Sequence, residues 1–126
     1  MGTNRAKDWF KQADILVKSS RDPLFGMSPR EVVAYLRSTL TGRVREAYFF
    51  GSFARQEIHP DSDIDLLLVA ETGLPFPERG FAFSDLRDRL PSLEIFVYTP
   101  EEFLKLVTDP SPGFWTSVVQ EMVRIL

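Results

Sequence analysis

Apolar residues recur at helical spacing over residues 4–20. Trp9, Phe10, Ala13, Leu16 and Val17 fall on one side of this stretch, and Lys7, Lys11, Asp14 and Lys18 on the other. That pattern predicts an amphipathic helix. Pro23 and Gly26 then interrupt the periodicity, so Ser20 to Met27 reads as a linker. Ser28-Pro29-Arg30-Glu31 opens a second helix: Ser28 caps it, Pro29 suits its first position and Glu31 completes a capping box. Val32, Val33, Leu36 and Leu40 form its apolar stripe, and Gly42 stops it.

Beyond Gly42 the pattern changes to short apolar runs. Ala47-Tyr48-Phe49-Phe50 predicts a buried strand running straight into Gly51-Ser52, and Phe53 to Glu57 a brief helix. Ile64 to Ala70 is apolar on both faces except at Asp65, which places this strand centrally in a sheet. After a Gly/Pro-rich loop from Glu71 to Gly80, Phe81 to Leu90 predicts a helix and Leu93 to Thr99 a third strand. Pro100-Glu101-Glu102 starts another helix through Val107, with the two acids complementing its dipole. A last helix is predicted to carry Trp115, Val118, Val119, Met122 and Leu126 on one side. The pattern therefore predicts an α/β chain with a small mixed sheet flanked by helices. Residues 1–27 form a helical appendage and linker, and 28–126 a single domain.

Composition narrows the chemistry. With no cysteine and one histidine, His59, thiolate and imidazole cages are excluded, so a metal must sit among oxygen ligands. A net charge of −3 from 15 basic and 18 acidic residues argues against a nucleic-acid partner, whose phosphates require a basic surface. The longest apolar run is far too short to span a bilayer, and Arg5, Lys7 and Asp8 stand where a signal peptide needs apolar residues. The expected setting is the cytoplasm, with no membrane contact.

The candidate chemistry lies between Gly51 and Leu66. Gly51 lets backbone approach a ligand closely, and Ser52 adds a hydroxyl where a strand gives way to a helix, an arrangement suited to phosphate. Asp63 and Asp65 lie two apart at a strand entrance, so their side chains leave one face. Two such carboxylates repel unless a proton or a cation sits between them. Glu94, near the start of the next and otherwise apolar strand, would complete a two-metal site if the strands are neighbours. Arg55 is placed to steady a phosphate or to pair with Glu57 or Asp61.

The pattern Gly51-Ser52, ten residues, then Asp63-Ile64-Asp65 resembles the signature of the DNA polymerase beta-like nucleotidyltransferases. The chain's size points to their minimal nucleotidyltransferase (MNT) branch. The resemblance spans roughly residues 28–107 and includes the run Val97 to Phe103. It implies a palm-like fold, ATP or another nucleoside triphosphate as donor, and two Mg²⁺ ions. It assigns Gly51 and Ser52 to phosphate and Asp63 and Asp65 to metal, with Glu94 as third carboxylate. Many MNT proteins are antitoxins paired with a HEPN-domain toxin, and some transfer AMP to a toxin tyrosine. The implied partner is thus such a protein, with a second copy of the chain as another candidate. The first helix, Ala6 to Asp14, is faintly similar to the opening helix of HEPN proteins.

Two departures stand out: Glu94 where the family usually has Asp, and Gln56 where Gly often follows Ala-Arg. They keep open an antitoxin that works by binding alone. Transfer to a small-molecule hydroxyl is a third possibility.

Overall fold

A computed structural model describes residues 22–109 and 114–126, with no side-chain description for Phe114. The predicted helix at 4–20 lies outside the described residues. The elements run α1 (Pro29–Leu40), β1 (Glu46–Phe50), α2 (Gly51–Ala54), β2 (Ile64–Val69), a 3₁₀ segment (Phe76–Asp88), β3 (Leu93–Tyr98), α3 (Pro100–Thr108), α4 (Phe114–Glu121) and β4 (Val123–Arg124).

The four strands form one sheet in the order β3-β2-β1-β4. β1 is antiparallel to both β2 and β4, and β2 and β3 are parallel. The mixed sheet and the central place of β2 are as the apolar runs require. Alternation splits the core in two. Ala47, Phe49, Leu66, Leu68 and Val97 face the α1 residues Val32, Leu36 and Leu40 and the 3₁₀ residues Phe83 and Leu86. Tyr48, Phe50, Leu67 and Val69 face Phe103 of α3 and Val118 of α4. The sheet is therefore sandwiched, and a residue's parity decides which layer it meets.

Both long helices start as their sequences direct. The Ser28 hydroxyl accepts from the Glu31 amide at 3.1 Å, and Glu31 accepts from the Ser28 amide at 3.1 Å. Thr99 and Glu102 repeat the device at α3. Glu102 has a further role that its position alone does not reveal. The buried Arg79 guanidinium donates to Glu102 at 2.6 Å and 3.3 Å, to the Val97 carbonyl at 3.2 Å and to the Leu74 carbonyl at 2.9 Å. These bonds clamp the 3₁₀ segment to β3 and α3.

Three expectations need correction. The brief helix begins at Gly51 and ends at Ala54, because the turn itself supplies its first residue. The stretch predicted as a helix over Phe81 to Leu90 is instead 3₁₀ structure over Phe76–Asp88, kinked at Phe83 (φ −119°, ψ 15°). It has to place Phe83 and Leu86 against the core from a Pro- and Gly-containing stretch, and three-residue spacing does that. The final helix stops at Glu121, and Val123–Arg124 joins the sheet beside β1. The Ile125 amide donates to the Ala47 carbonyl at 2.8 Å, and the Ala47 amide to the Leu126 carbonyl at 3.0 Å. The open hydrogen-bonding edge of β1, with room for Ile125 in the core, outweighs the helical spacing of the last residues. No helix among the described residues is long and apolar enough to cross a membrane.

Removing the buried clamp is expected to cost far more than removing a surface pair. Arg79→Ala should lower unfolding free energy by about 2–3 kcal/mol, because the Val97 and Leu74 carbonyls and the Glu102 carboxylate lose one buried donor together. Arg45→Ala, which loses an exposed bridge to Glu71 (2.8 Å), should change it by no more than about 0.5 kcal/mol. Urea unfolding of both variants checks the ranking, and equal losses would refute it.

Candidate active site

The site is built on one row of the sheet. Asp65 pairs with Phe50 of β1 on one side and with Glu94 of β3 on the other. Odd-numbered residues of β2 and even-numbered residues of β1 and β3 share a face, so Asp65 and Glu94 emerge on the side covered by α3 and α4. Phe50 leads directly into Gly51, so the turn lies at one flank of Asp65 and Glu94 at the other.

Gly51 is required twice over. Its φ of +69° lies in the left-handed region, and a Cβ there would come within 2.2 Å of Asp65 Oδ2. The turn backbone and the carboxylate are thus in direct apposition, and a side chain at position 51 would force the Asp65 carboxylate aside. Ser52 follows in the first turn of α2, and its carbonyl accepts from the Glu57 amide at 2.9 Å, which closes the loop behind it.

Gln56 ends this loop with φ +61°, a conformation uncommon for any residue but glycine. The loop closes with the same backbone sense a glycine would allow, and the Gln56 amide donates to the Phe53 carbonyl at 2.9 Å. The departure at Gln56 therefore alters local strain, of about 1 kcal/mol, rather than the path of the chain.

The acids are strongly coupled. Asp65 has its pKa pushed up to about 6, first by burial, then by the charges of Glu94 and Asp63 and by a side-chain hydrogen bond with Glu94. Asp63 sits exposed just before β2, close enough for its charge to reach Asp65. The structure therefore brings Asp65 and Glu94 into contact, with Asp63 beside them. Among the described residues no three Asp, Glu or His side chains converge on one point as a closed metal cage. The donor set nevertheless suits a hard divalent cation. It consists of carboxylate oxygens alone, and a cation among them would relieve the repulsion that raises the Asp65 pKa.

Arg55 has a different engagement from the one its position suggests. Its Nη1 donates to Glu121 Oε2 at 3.0 Å, and its Nε reaches Glu57 Oε2 at 3.4 Å. Of the expected partners Glu57 is found, and Glu121, at the end of α4, replaces Asp61. No local signal marks Glu121, because the contact joins residues far apart in sequence. Arg55 still acts on the site at a distance, since its charge favours the ionised form of Asp65.

Two measurements follow from this geometry. Gly51→Ala should cost about 2 kcal/mol or more, from strain plus collision with Asp65. Gly42→Ala, also at positive φ (+85°) but facing open space, should cost only about 1 kcal/mol. Thermal unfolding of the pair tests this, and equal costs would remove the claim of close apposition.

In chelator, the second measurement concerns pH. A carboxyl whose folded pKa exceeds its unfolded value stabilises the fold below the unfolded pKa, and that contribution is lost as pH rises through the folded one. Relative to wild type, Asp65→Asn should therefore gain stability as pH rises from about 4 through about 6. The gain should be about 1 kcal/mol after allowance for solvent screening at a half-exposed group. Parallel stability profiles would contradict the coupling.

The family model of the nucleotidyltransferase domain matches residues 30–116. Over 47 residues, 37% of this chain, the sequence is 36% identical to a protein of Methanocaldococcus jannaschii named "Putative protein adenylyltransferase MJ0604". The match covers 47% of that relative, so the chain spans about half its length. A crystal structure of a toxin-antitoxin with AMP-PNP aligns at a TM-score of 0.51, covering 79% of this chain and 73% of that one. At 19% identity this is a likeness of fold. The family match runs from α1 into α4 and takes in every strand that carries the glycine turn and the acids; on that ground, the chain belongs to the nucleotidyltransferase domain family.

Proposed function

We propose that this chain transfers a nucleoside monophosphate, AMP from ATP, to a hydroxyl group on a protein partner. The partner is a HEPN-type toxin, the acceptor is a tyrosine, and the outcome is an antitoxin activity in the cytoplasm. The observation that carries this reading is the row Phe50–Asp65–Glu94, with a glycine turn pressed against its central carboxylate. The adenylyltransferase name of the relative and the AMP-PNP of the structural neighbour support the choice of adenylate. That neighbour's description as a toxin-antitoxin supports the choice of partner.

Gly51 and Ser52 hold the triphosphate through backbone amides and a hydroxyl. Asp63, Asp65 and Glu94 would hold Mg²⁺, which when bound neutralises phosphate charge in the transition state. The acceptor oxygen forms a bond to the α-phosphorus while the bond from that phosphorus to the β-phosphate oxygen breaks. Pyrophosphate leaves with the bonding electrons, and the hydroxyl proton passes to a Glu94 carboxylate oxygen. Asp65 keeps the ionised acids in register because its strand is fixed on both sides.

A second reading has one observation in its favour. Arg55 is engaged by Glu57 and Glu121 rather than turned toward the phosphate turn, as in an antitoxin that neutralises by contact alone. Transfer of label from α-³²P-ATP separates the two. With Mg²⁺ and a HEPN-domain protein supplied as acceptor, wild type should label that protein on tyrosine. Asp65→Asn should reduce the rate by about 100-fold or more, as should chelation. Equal labelling by wild type and Asp65→Asn, or toxin relief that survives Asp63→Ala with Asp65→Ala, would displace the enzymatic reading.

A further inference from the structure

Beside Glu94, on the side away from the glycine turn, lies a recess of about 210 Å³ whose walls include Phe81, Ser84, Arg87 and Ile95. Its place follows from the strand order. β2 carries Asp65 in the middle, β1 delivers the phosphate turn on one flank, and β3 delivers Glu94 on the other. A donor seated at Gly51 approaches the acids from the β1 side. Glu94 itself borders the recess, so an acceptor seated there lies next to the carboxylate assigned to take its proton. The volume is below the roughly 300–1,000 Å³ of pockets that enclose whole cofactors, so it suits a single side chain.

Its lining is specific to the 3₁₀ segment. Phe81 is 75% exposed, the most exposed of the large apolar side chains among the described residues, although the segment around it buries Phe83 and Leu86. Nothing among the described residues accounts for leaving that ring in water. Arg87 is fixed by its Nε, which donates to the Leu93 carbonyl at 2.9 Å. Among the described residues its guanidinium has no ion-pair partner. A held guanidinium with open donors beside an exposed ring is suited to an aromatic side chain whose neighbouring backbone or carboxylate oxygens it can grip.

We propose that Phe81 and Arg87 form the acceptor subsite and set its specificity. Phe81 selects an aromatic hydroxyl over an aliphatic one by ring contact, and Arg87 anchors the peptide on either side of it. This rests on the transferase reading above and adds where the acceptor binds and what reads it.

The test uses the full chain, Mg²⁺, α-³²P-ATP and two probe peptides, acetyl-Glu-Ala-Tyr-Ala-Glu-amide and its serine counterpart. Wild type should label the tyrosine peptide with about tenfold higher kcat/KM than the serine peptide, at the upper end of what an aromatic pair contributes. Phe81→Ala should bring that preference to within about twofold through KM, and Phe81→Trp should restore it. Because Phe81 is exposed, neither change disturbs the core. Arg87→Gln should raise KM about fivefold for both peptides. ATP binding, measured separately, should be unaltered in all three variants. An unchanged tyrosine preference in Phe81→Ala overturns the proposal. So does wild type that binds ATP but labels neither peptide, and in that case the nucleotide site stands. Wild type that fails to bind ATP overturns the transferase reading, and the acceptor subsite falls with it.

Discussion

Everything at this site depends on a carboxylate with no room to withdraw. Asp65 faces the backbone of Gly51 on one flank and the side chain of Glu94 on the other, with the charge of Asp63 at its entrance. Its strand is hydrogen-bonded on both sides, so its backbone cannot shift to relieve the crowding. A half-buried acid in that position holds its proton to about pH 6, and once ionised it is stabilised by any positive neighbour. The sheet therefore concentrates negative charge beside the glycine turn, where a cation would relieve it.

The surrounding layers keep that row in place. One face of the sheet is covered by α1 and the 3₁₀ segment, the other by α3 and α4, so β2 is buried almost throughout. The clamp from Arg79 to Glu102 ties the crossover that delivers β3 to the helix that follows it. The bridge from Arg55 to Glu121 ties the loop behind the glycine turn to the end of α4. Both flanks of Asp65 are thereby secured by polar contacts outside the row itself.

What could be read from sequence had local causes. The capping residues Ser28 and Glu31 and the apolar run of β2 each act through near neighbours, and the corresponding helix and central strand are present, with Asp63 just before the strand that carries Asp65. Glu94 was legible as an acid out of place in an apolar strand, although its apposition to Asp65 depends on a parallel register that no local pattern encodes. The misread parts had distant causes. β4 exists because β1 offers an open edge, Arg79 is buried because acceptors from three separate segments meet there, and Glu121 reaches Arg55 across the fold. Helical periodicity over residues 114–126 was real, but the tertiary demand of the sheet edge outweighed it.

The parallel pairing of β2 with β3 also has a kinetic side. Antiparallel β1 and β2 can meet early, through a loop of modest length, whereas β3 must first be carried around by the 3₁₀ crossover. Closing such a long loop takes entropy before any contact compensates it, which places the pairing late on the route to the native state. Asp65 and Glu94 are thus expected to become neighbours among the later contacts. A ligand that bridges them has little to grip while the chain is still searching, so it prolongs the life of the finished molecule and leaves the speed of its formation nearly unaltered.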